Sequence, residues 1–129
     1  MNIRSTHKRG FTLVELLIAV MVLAGAISGV LLLFSASMAS SDLAWDTTVA
    51  TSHGEHVLEE MQSRDSLPSI LEVDWKAWAA GQGLNTLPRE TVEVVFADTN
   101  SNPLGVQVSV DWVRKSRAGN ITLKTRITK

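Results

Sequence analysis

The feature that most constrains this chain is an uncharged apolar run near its amino end. Residues 16–34 form 19 consecutive positions without a charged side chain. A helix of that length spans about 28 Å, close to the roughly 30 Å hydrocarbon core of a bilayer. Backbone polar groups in lipid must be satisfied within their own segment, which a helix achieves. The run therefore predicts a membrane-spanning helix.

The charges that flank the run predict its orientation. Arg4, Lys8 and Arg9 precede it, and residues 1–10 contain no acid. Basic residues concentrate on the cytoplasmic side of membrane helices. We therefore expect a single pass with the amino end in the cytoplasm and the remaining chain on the other side.

Three interpretations of this segment compete. A secretory signal peptide would explain the basic start, the apolar core and the small residues Ser37 and Ala39. The run is longer than the usual apolar core of about 7 to 15 residues, and Glu15 stands near its start. A plain membrane anchor is the second interpretation, and it too leaves the carboxylate unexplained. The third starts from the junction between the basic and apolar parts.

That junction reads GFTLVE from Gly10 to Glu15 and leads directly into residues 16–34. It resembles the type IV pilin family, which includes the type II secretion pseudopilins. The family pattern is a short basic leader, a glycine, a phenylalanine or methionine, and a glutamate four residues further on. The resemblance implies that prepilin peptidase removes residues 1–10 by cutting between Gly10 and Phe11. The same enzyme would then methylate the new amino group of Phe11.

The resemblance also gives Glu15 a role in assembly. A carboxylate inside an apolar helix bundle is costly unless an opposite charge pairs with it. Cleavage would create such a charge, the amine of Phe11, one helical turn away in the chain. In the family this acid is thought to meet the terminal amine of a neighbouring subunit.

Small residues predict a close-packing surface in the apolar run. Gly25 and Gly29 stand four positions apart, with Ala24 and Ser28 beside them. Such spacing lets helices approach closely in lipid, although membrane helices are also rich in glycine in general. Both interpretations remain open at this stage.

The overall prediction is an α+β fold of the pilin type. One long helix would cover 11–64, with its transmembrane part at 11–34, and would end before Pro68. Residues 65–129 would form a small globular head with a short helix, capped by Ser69, and a three-stranded antiparallel sheet. The helix beyond the membrane carries apolar rows at helical spacing that would pack on the head. These rows are Met38, Trp45, Val49 and His56, and Leu43, Ala50, Val57 and Met61.

Three stretches alternate apolar and polar residues with the period of half-buried strands. Their apolar rows are Val92, Val94 and Phe96; Val106, Val108, Val110 and Trp112; and Ile121, Leu123 and Ile127. On the helix, Asp42, Asp46, Glu55 and Glu59 fall outside the apolar rows, and we expect them to be solvated. Gly54 is expected to be a weak point of that helix.

The carboxyl-terminal part is basic. Its candidate contact face consists of Arg114, Lys115, Arg117, Lys124 and Arg126, which we expect to point away from the helix. The middle of the chain is acidic, so the two parts suggest contact between copies or relatives. An alternative function is a pilus-associated module that binds DNA or an anionic surface through this face. No aromatic residue interleaves the cations of the last strand, so base stacking is unsupported.

Other chemistry is not indicated by the sequence. The chain has no cysteine, and we find no nucleophile with a base, phosphate loop or metal set. His56 and Glu60 stand one turn apart without an evident third ligand. The loop that begins at Asp98 has Pro103 where a calcium loop needs glycine, which favours a hairpin turn. We therefore predict a protein without enzymatic activity, metal or cofactor.

Two departures from the family pattern indicate a particular kind of subunit. Major pilins commonly carry a proline in the stem and a carboxyl-terminal disulfide; this stem has no proline before Pro68, and the chain has no cysteine. The resemblance therefore implies a structural minor pilin or pseudopilin that primes or caps a type IV pilus or a type II secretion pseudopilus. Its partners would be prepilin peptidase, other minor subunits, the major pilin and the inner-membrane assembly platform. It would reside in the bacterial inner membrane with its head in the periplasm.

Overall fold

The computed structural model describes residues 10–129. Residues 1–9, which form most of the predicted leader and include its basic residues, lie outside the described part. The chain divides into two compact units, Met1–Ser41 and Asp42–Lys129. We call the described part of the first, residues 10–41, the apolar unit, and the second the globular unit.

Helix α1 covers Leu13–Ser63, within two residues of the predicted bounds at each end. The Thr12 hydroxyl accepts a hydrogen bond of 3.2 Å from the backbone N–H of Glu15. This bond satisfies one of the free amide groups at the start of the helix. The junction that resembles the pilin pattern therefore also contains a helix cap.

The apolar unit exposes its hydrophobic side chains. Leu13 and Leu33 are 80% and 73% exposed, and the most apolar window of α1 has a mean hydropathy of 2.8 with no residue buried. Ser28 and Ser35 donate to the carbonyls of Ala24 and Leu31 at 2.9 and 3.0 Å. These bonds satisfy the hydroxyl groups within the helix itself. By length and composition, α1 can span a membrane.

The second half of α1 packs on the globular unit through a narrower stripe than predicted. Its buried residues are Asp46, Ala50, Gly54, Val57 and Met61. The expected burial of Ala50, Val57 and Met61 is confirmed. It is wrong for Met38, Leu43 and Trp45, which are at least 58% exposed, because packing on α1 begins only at Asp46. Asp46 itself was expected to be solvated and is only 2% exposed.

Gly54 is a contact point and not the predicted weak point. A Cβ atom built on it would lie 2.7 Å from Cδ1 of Leu123. The missing side chain therefore lets the third strand approach the helix backbone closely. Leu123 of the third strand therefore packs against the helix at Gly54, the position that the sequence alone predicts to be a weak point.

Two short helices follow α1, where the sequence predicted one. Helix α2 covers Leu67–Leu71 and is capped by Ser66; helix α3 covers Trp75–Gly81 and is capped by Asp74. The predicted cap, Ser69, lies inside α2. Trp75 is buried, and its Nε1 donates to the carbonyl of Ile70 at 2.8 Å. This tryptophan joins the two helices within the core.

Three antiparallel strands complete the fold in the order β1-β2-β3, as predicted. They are β1 Thr91–Phe96, β2 Leu104–Arg114 and β3 Arg117–Ile127. Lys115 and Ser116 join β2 and β3 with φ values of 48° and 67°, the left-handed geometry of a tight two-residue hairpin. The β1–β2 connection forms a turn in which Asp98 Oδ1 accepts from the N–H of Asn100 at 2.9 Å.

One face of the sheet is buried against the helices. The apolar row of β2 is 0–3% exposed at Leu104, Val106, Val108, Val110 and Trp112. Their cross-strand partners on β3 include Ile121, Leu123 and Ile127. The architecture is therefore α+β: a long helix and two short ones cover one face of a three-stranded sheet, and the other face is open.

Candidate assembly site

The junction residues are accessible in the described structure. Gly10 and Phe11 precede α1, and Phe11 is 75% exposed. A residue without a side chain can enter a narrow protease cleft in extended form. The predicted cleavage at Gly10 and Phe11 and the predicted methylation of Phe11 have no steric obstacle among the described residues.

Glu15 lies in the first turn of α1 and is exposed on the helix surface. The positive end of the helix dipole favours a carboxylate there. None of the ion pairs within residues 10–129 involves its side chain. The geometry leaves the carboxylate free to meet a cation from another molecule.

Gly25 and Gly29 lie four residues apart on the exposed surface of the apolar unit. A Cβ atom at either position would have no neighbour within 4 Å. The two positions therefore offer room for the approach of another helix. Their role in helix packing stays a prediction.

A partly buried ion pair holds the tip of the β2–β3 hairpin to α1. Arg114 Nε donates to Asp46 Oδ2 at 2.7 Å, and the Asp46 side chain is 3% exposed. This hydrogen bond raises the pKa of the Arg114 guanidinium above its ordinary value, against the opposing effect of burial. Lys115 Nζ lies 3.8 Å from Asp42 Oδ2 on the surface beside it. The spacing of residues in the sequence does not predict that Asp46 pairs with Arg114.

The five basic residues of the candidate contact face do not share one face of the sheet. Arg114 and Arg117 are cross-strand partners with the parity of the helix-covered row, whereas Lys124 and Arg126 are on the opposite face. The expectation that all five point away from the helix is therefore wrong for Arg114 and Lys115, which pair with Asp46 and Asp42 of α1. Binding of DNA or an anionic surface at these residues stays a prediction.

The sequence also did not predict a second side-chain pair, which joins His53 of α1 to Glu90. His53 Nδ1 lies 2.5 Å from Glu90 Oε1, and the Glu90 side chain is fully buried. Glu90 Oε2 accepts from the N–H of Leu87 at 2.8 Å. The pair fastens the segment before β1 to α1. The other histidine considered as a ligand, His56, stacks on Trp78 with ring centroids 5.8 Å apart.

The part of the chain from residue 10 onward holds no group of three His, Cys, Asp or Glu side chains arranged for a metal. The arrangement at the amino end offers a different chemistry: an exposed Gly10–Phe11 junction, a capped helix and an unpaired carboxylate on the apolar unit. The apolar unit can exchange contacts with lipid for contacts with other helices. The charge of Glu15 would then require a cation at the new interface.

Comparison with known proteins places a motif on this junction. Residues 5–24 match the family model described as the prokaryotic N-terminal methylation motif. The match includes Gly10, Phe11 and Glu15 and extends into the apolar run. Searches of curated proteins and of solved structures found no match.

Proposed function

We infer that the chain is a type IV pilin-like protein, because residues 5–24 match the N-terminal methylation motif and lead into a long apolar helix. From this premise we propose that it is a structural minor subunit that primes or caps a type IV pilus or a type II secretion pseudopilus. The single observation that carries the proposal is the motif match. The finer role rests on the small head, the absence of cysteine and the stem without proline before Pro68.

Maturation is the first step of the proposed mechanism. Prepilin peptidase cuts after Gly10 in the cytoplasm and methylates the new amine of Phe11. Thr12 already caps α1 through its bond to the Glu15 N–H, so cutting after Gly10 leaves this cap intact. The mature chain then begins within three residues of the helix start at Leu13.

Assembly is the second step. The apolar unit leaves the lipid and enters a bundle of similar helices, with Gly25 and Gly29 at its close contacts. Glu15 pairs with the Phe11 amine of a neighbouring subunit. Transfer of an unpaired carboxylate into a low-dielectric bundle is costly, so the pairing favours one axial register over others.

The proposed location and partners follow from this mechanism. The chain spans the inner membrane once, with its amino end in the cytoplasm and its globular unit in the periplasm. Its partners are prepilin peptidase, other minor subunits, the major pilin and the assembly platform. The globular unit selects neighbours through its surface, and no enzymatic step is required of it.

Substitution of Glu15 tests the proposal. Glu15→Ala preserves the Thr12 cap, because that bond uses the backbone N–H of residue 15. We expect normal membrane insertion and cleavage but at least a tenfold lower yield in assembled filaments, measured by quantitative immunoblotting of sheared and membrane fractions. Glu15→Asp keeps the charge and should retain more assembly than Glu15→Gln.

The matched control is Glu72→Ala, which removes an exposed acid from the globular unit. It should assemble like the native chain. Normal incorporation of Glu15→Ala would contradict the pairing mechanism. Failure of Glu15→Ala to enter the membrane would contradict the assignment of this residue to assembly.

A further inference from the structure

The open face of the sheet contains a groove with one cationic wall. It has a volume of about 540 Å³ and lies beside Gly105, where an added Cβ atom would lie 3.1 Å from Cβ of Ala97. Lys124 and Arg126 form one wall, and Val95, which is 48% exposed, belongs to the other. The groove therefore combines positive charge with a small apolar surface.

The outward face of α1 carries a matching pair of carboxylates. Glu55 and Glu59 are both exposed. At roughly 100° per residue, they point about 140° and 180° away from the centre of the buried stripe of α1. They therefore lie on the side of the globular unit opposite to the groove.

The two charged pairs have similar spacing. Four residues of helix separate Glu55 from Glu59 by about 6 Å along the axis. Two residues of strand separate Lys124 from Arg126 by about 7 Å. None of the ion pairs formed within the described part of the chain uses any of these four side chains. Both pairs are free to meet charges on another molecule.

We propose that the groove beside Gly105 receives the Glu55 and Glu59 face of α1 from a second copy of this chain. Each carboxylate then meets one cation across the contact. Complementary charge fixes the orientation and register of such a contact more than its affinity. This inference rests on the proposed function, because it names a contact between assembled subunits.

The charge pattern also determines the symmetry of the contact. A two-fold contact of groove with groove would place Lys124 and Arg126 against their own copies, which repel. A contact between two different faces is heterologous and leaves one face of each type free for a further subunit. Glu93 lies on the same open face, two pairs along β1 from the groove end, and repels an acidic helix placed there. The partner helix is thereby confined to the end of the sheet near Gly105.

Thiol crosslinking of the full chain in its native membrane tests the contact. The chain has no cysteine, so every crosslink comes from an introduced residue. One tagged copy carries Ser52→Cys on the outward face of α1, and a differently tagged copy carries Thr122→Cys on the open face of the sheet. A short bis-maleimide should join the two copies. Ser52→Cys with Lys76→Cys, an exposed position on α3, is the control pair and should give at least tenfold less product.

Charge reversal then tests whether the crosslinked product comes from the proposed contact or from random collision of the two copies. Glu55→Lys with Glu59→Lys in the first copy should lower the crosslinked product at least tenfold. Lys124→Glu with Arg126→Glu in the second copy should restore it when both reversals are combined. All four side chains are exposed, and the restored product shows that the variants are folded.

The inference is overturned by an absent crosslink between native-charge copies, or by a product that does not respond to the reversals. A product formed only with another pilin-like subunit also overturns it. Mass spectrometry of the amino terminus in the same samples keeps the two proposals apart. A mature Phe11 terminus without the crosslink refutes only this contact, whereas an uncleaved chain refutes the proposed function.

Discussion

Substitution of Gly119 by alanine should destabilise the globular unit, although glycine is a poor strand residue. Gly119 on β3 is the cross-strand partner of Trp112 on β2. The indole ring of Trp112 lies over the glycine, so a Cβ atom would overlap Cε2, Cζ2 and Nε1 of the ring. The ring is rigid and 3% exposed, and it must move by more than about 1 Å to regain ordinary van der Waals distance.

The expected free-energy change follows from two opposing effects. Overpacking of a well-packed core costs about 1–3 kcal/mol. Replacing glycine by alanine in a strand returns about 0.5–1 kcal/mol through backbone entropy. Because the overlap involves three ring atoms, we expect a net loss of about 1–2 kcal/mol, equal to roughly 4–16 °C in melting temperature for a unit of this size.

Urea unfolding of the full chain in detergent measures the change through tryptophan fluorescence. Trp75 and Trp78 remain as reporters when Trp112 is replaced. In a Trp112→Leu background, Gly119→Ala should become neutral or stabilising, because the rigid ring is gone. Gly81→Ala, where a Cβ has no neighbour within 4 Å, is the matched control and should not destabilise.

Two results would refute this reasoning. One is a Gly119→Ala chain as stable as the native protein. The other is an equal loss with and without the Trp112 ring, since the cost would then arise elsewhere than in their contact.

Two further predictions concern polar contacts of the globular unit. Arg114→Ala should lower the urea midpoint more than Asp46→Ala, because it leaves a buried carboxylate unpaired, whereas the Arg114 guanidinium is a third exposed and can be hydrated. Adding Asp46→Ala to Arg114→Ala should recover part of the lost stability. A larger loss in Asp46→Ala than in Arg114→Ala would contradict this account. Asp74→Ala removes the bond from the Ala77 N–H to Oδ1 that caps α3 and should cost about 1 kcal/mol in the same assay. Asp65→Ala, which removes an exposed acid outside the helices, should leave the midpoint unchanged.

Periodicity predicted the sheet because side chains of a strand alternate between its faces. The row Val106, Val108, Val110 and Trp112 was expected on one face, and all four are buried. A one-residue shift would expose the whole row, so the apolar pattern also determines the register. The order β1-β2-β3 follows from two short connections between neighbouring strands.

The periodicity of the sequence did not predict side-chain contacts between distant parts of the chain. Asp46 reads as a solvated residue on a helix, and its burial depends on Arg114, 68 positions away. The buried carboxylate of Glu90 contacts His53, 37 positions away. A tertiary partner reverses the expected exposure of such residues, and periodicity contains no information about that partner.

The missed cap has a local cause. Ser66 and Ser69 both precede apolar residues, and each fits the position before a helix. In the structure the N–H of Ser69 donates to Ser66 Oγ at 3.4 Å, and Ser69 Oγ donates to the Ser66 carbonyl at 2.7 Å. A pattern of four residues does not distinguish the serine that starts a helix from the one in its first turn.

The amino-terminal motif was recognisable from the sequence because its residues lie close together in the chain. Gly10, Phe11 and Glu15 lie within one short motif, and the methylation motif match covers all three. The cation that would pair with Glu15 belongs to another molecule. Neither the sequence nor the fold of one chain identifies that partner.

Mass spectrometry of the native amino terminus tests the central claim most directly. The account predicts a chain that begins at Phe11 with one methyl group on its α-amine, because only that cleavage creates the cation for Glu15. Intact protein is purified from membranes and from sheared filaments, and its terminal peptide is sequenced. A chain that retains Met1, or one trimmed near Ala39, would contradict the account.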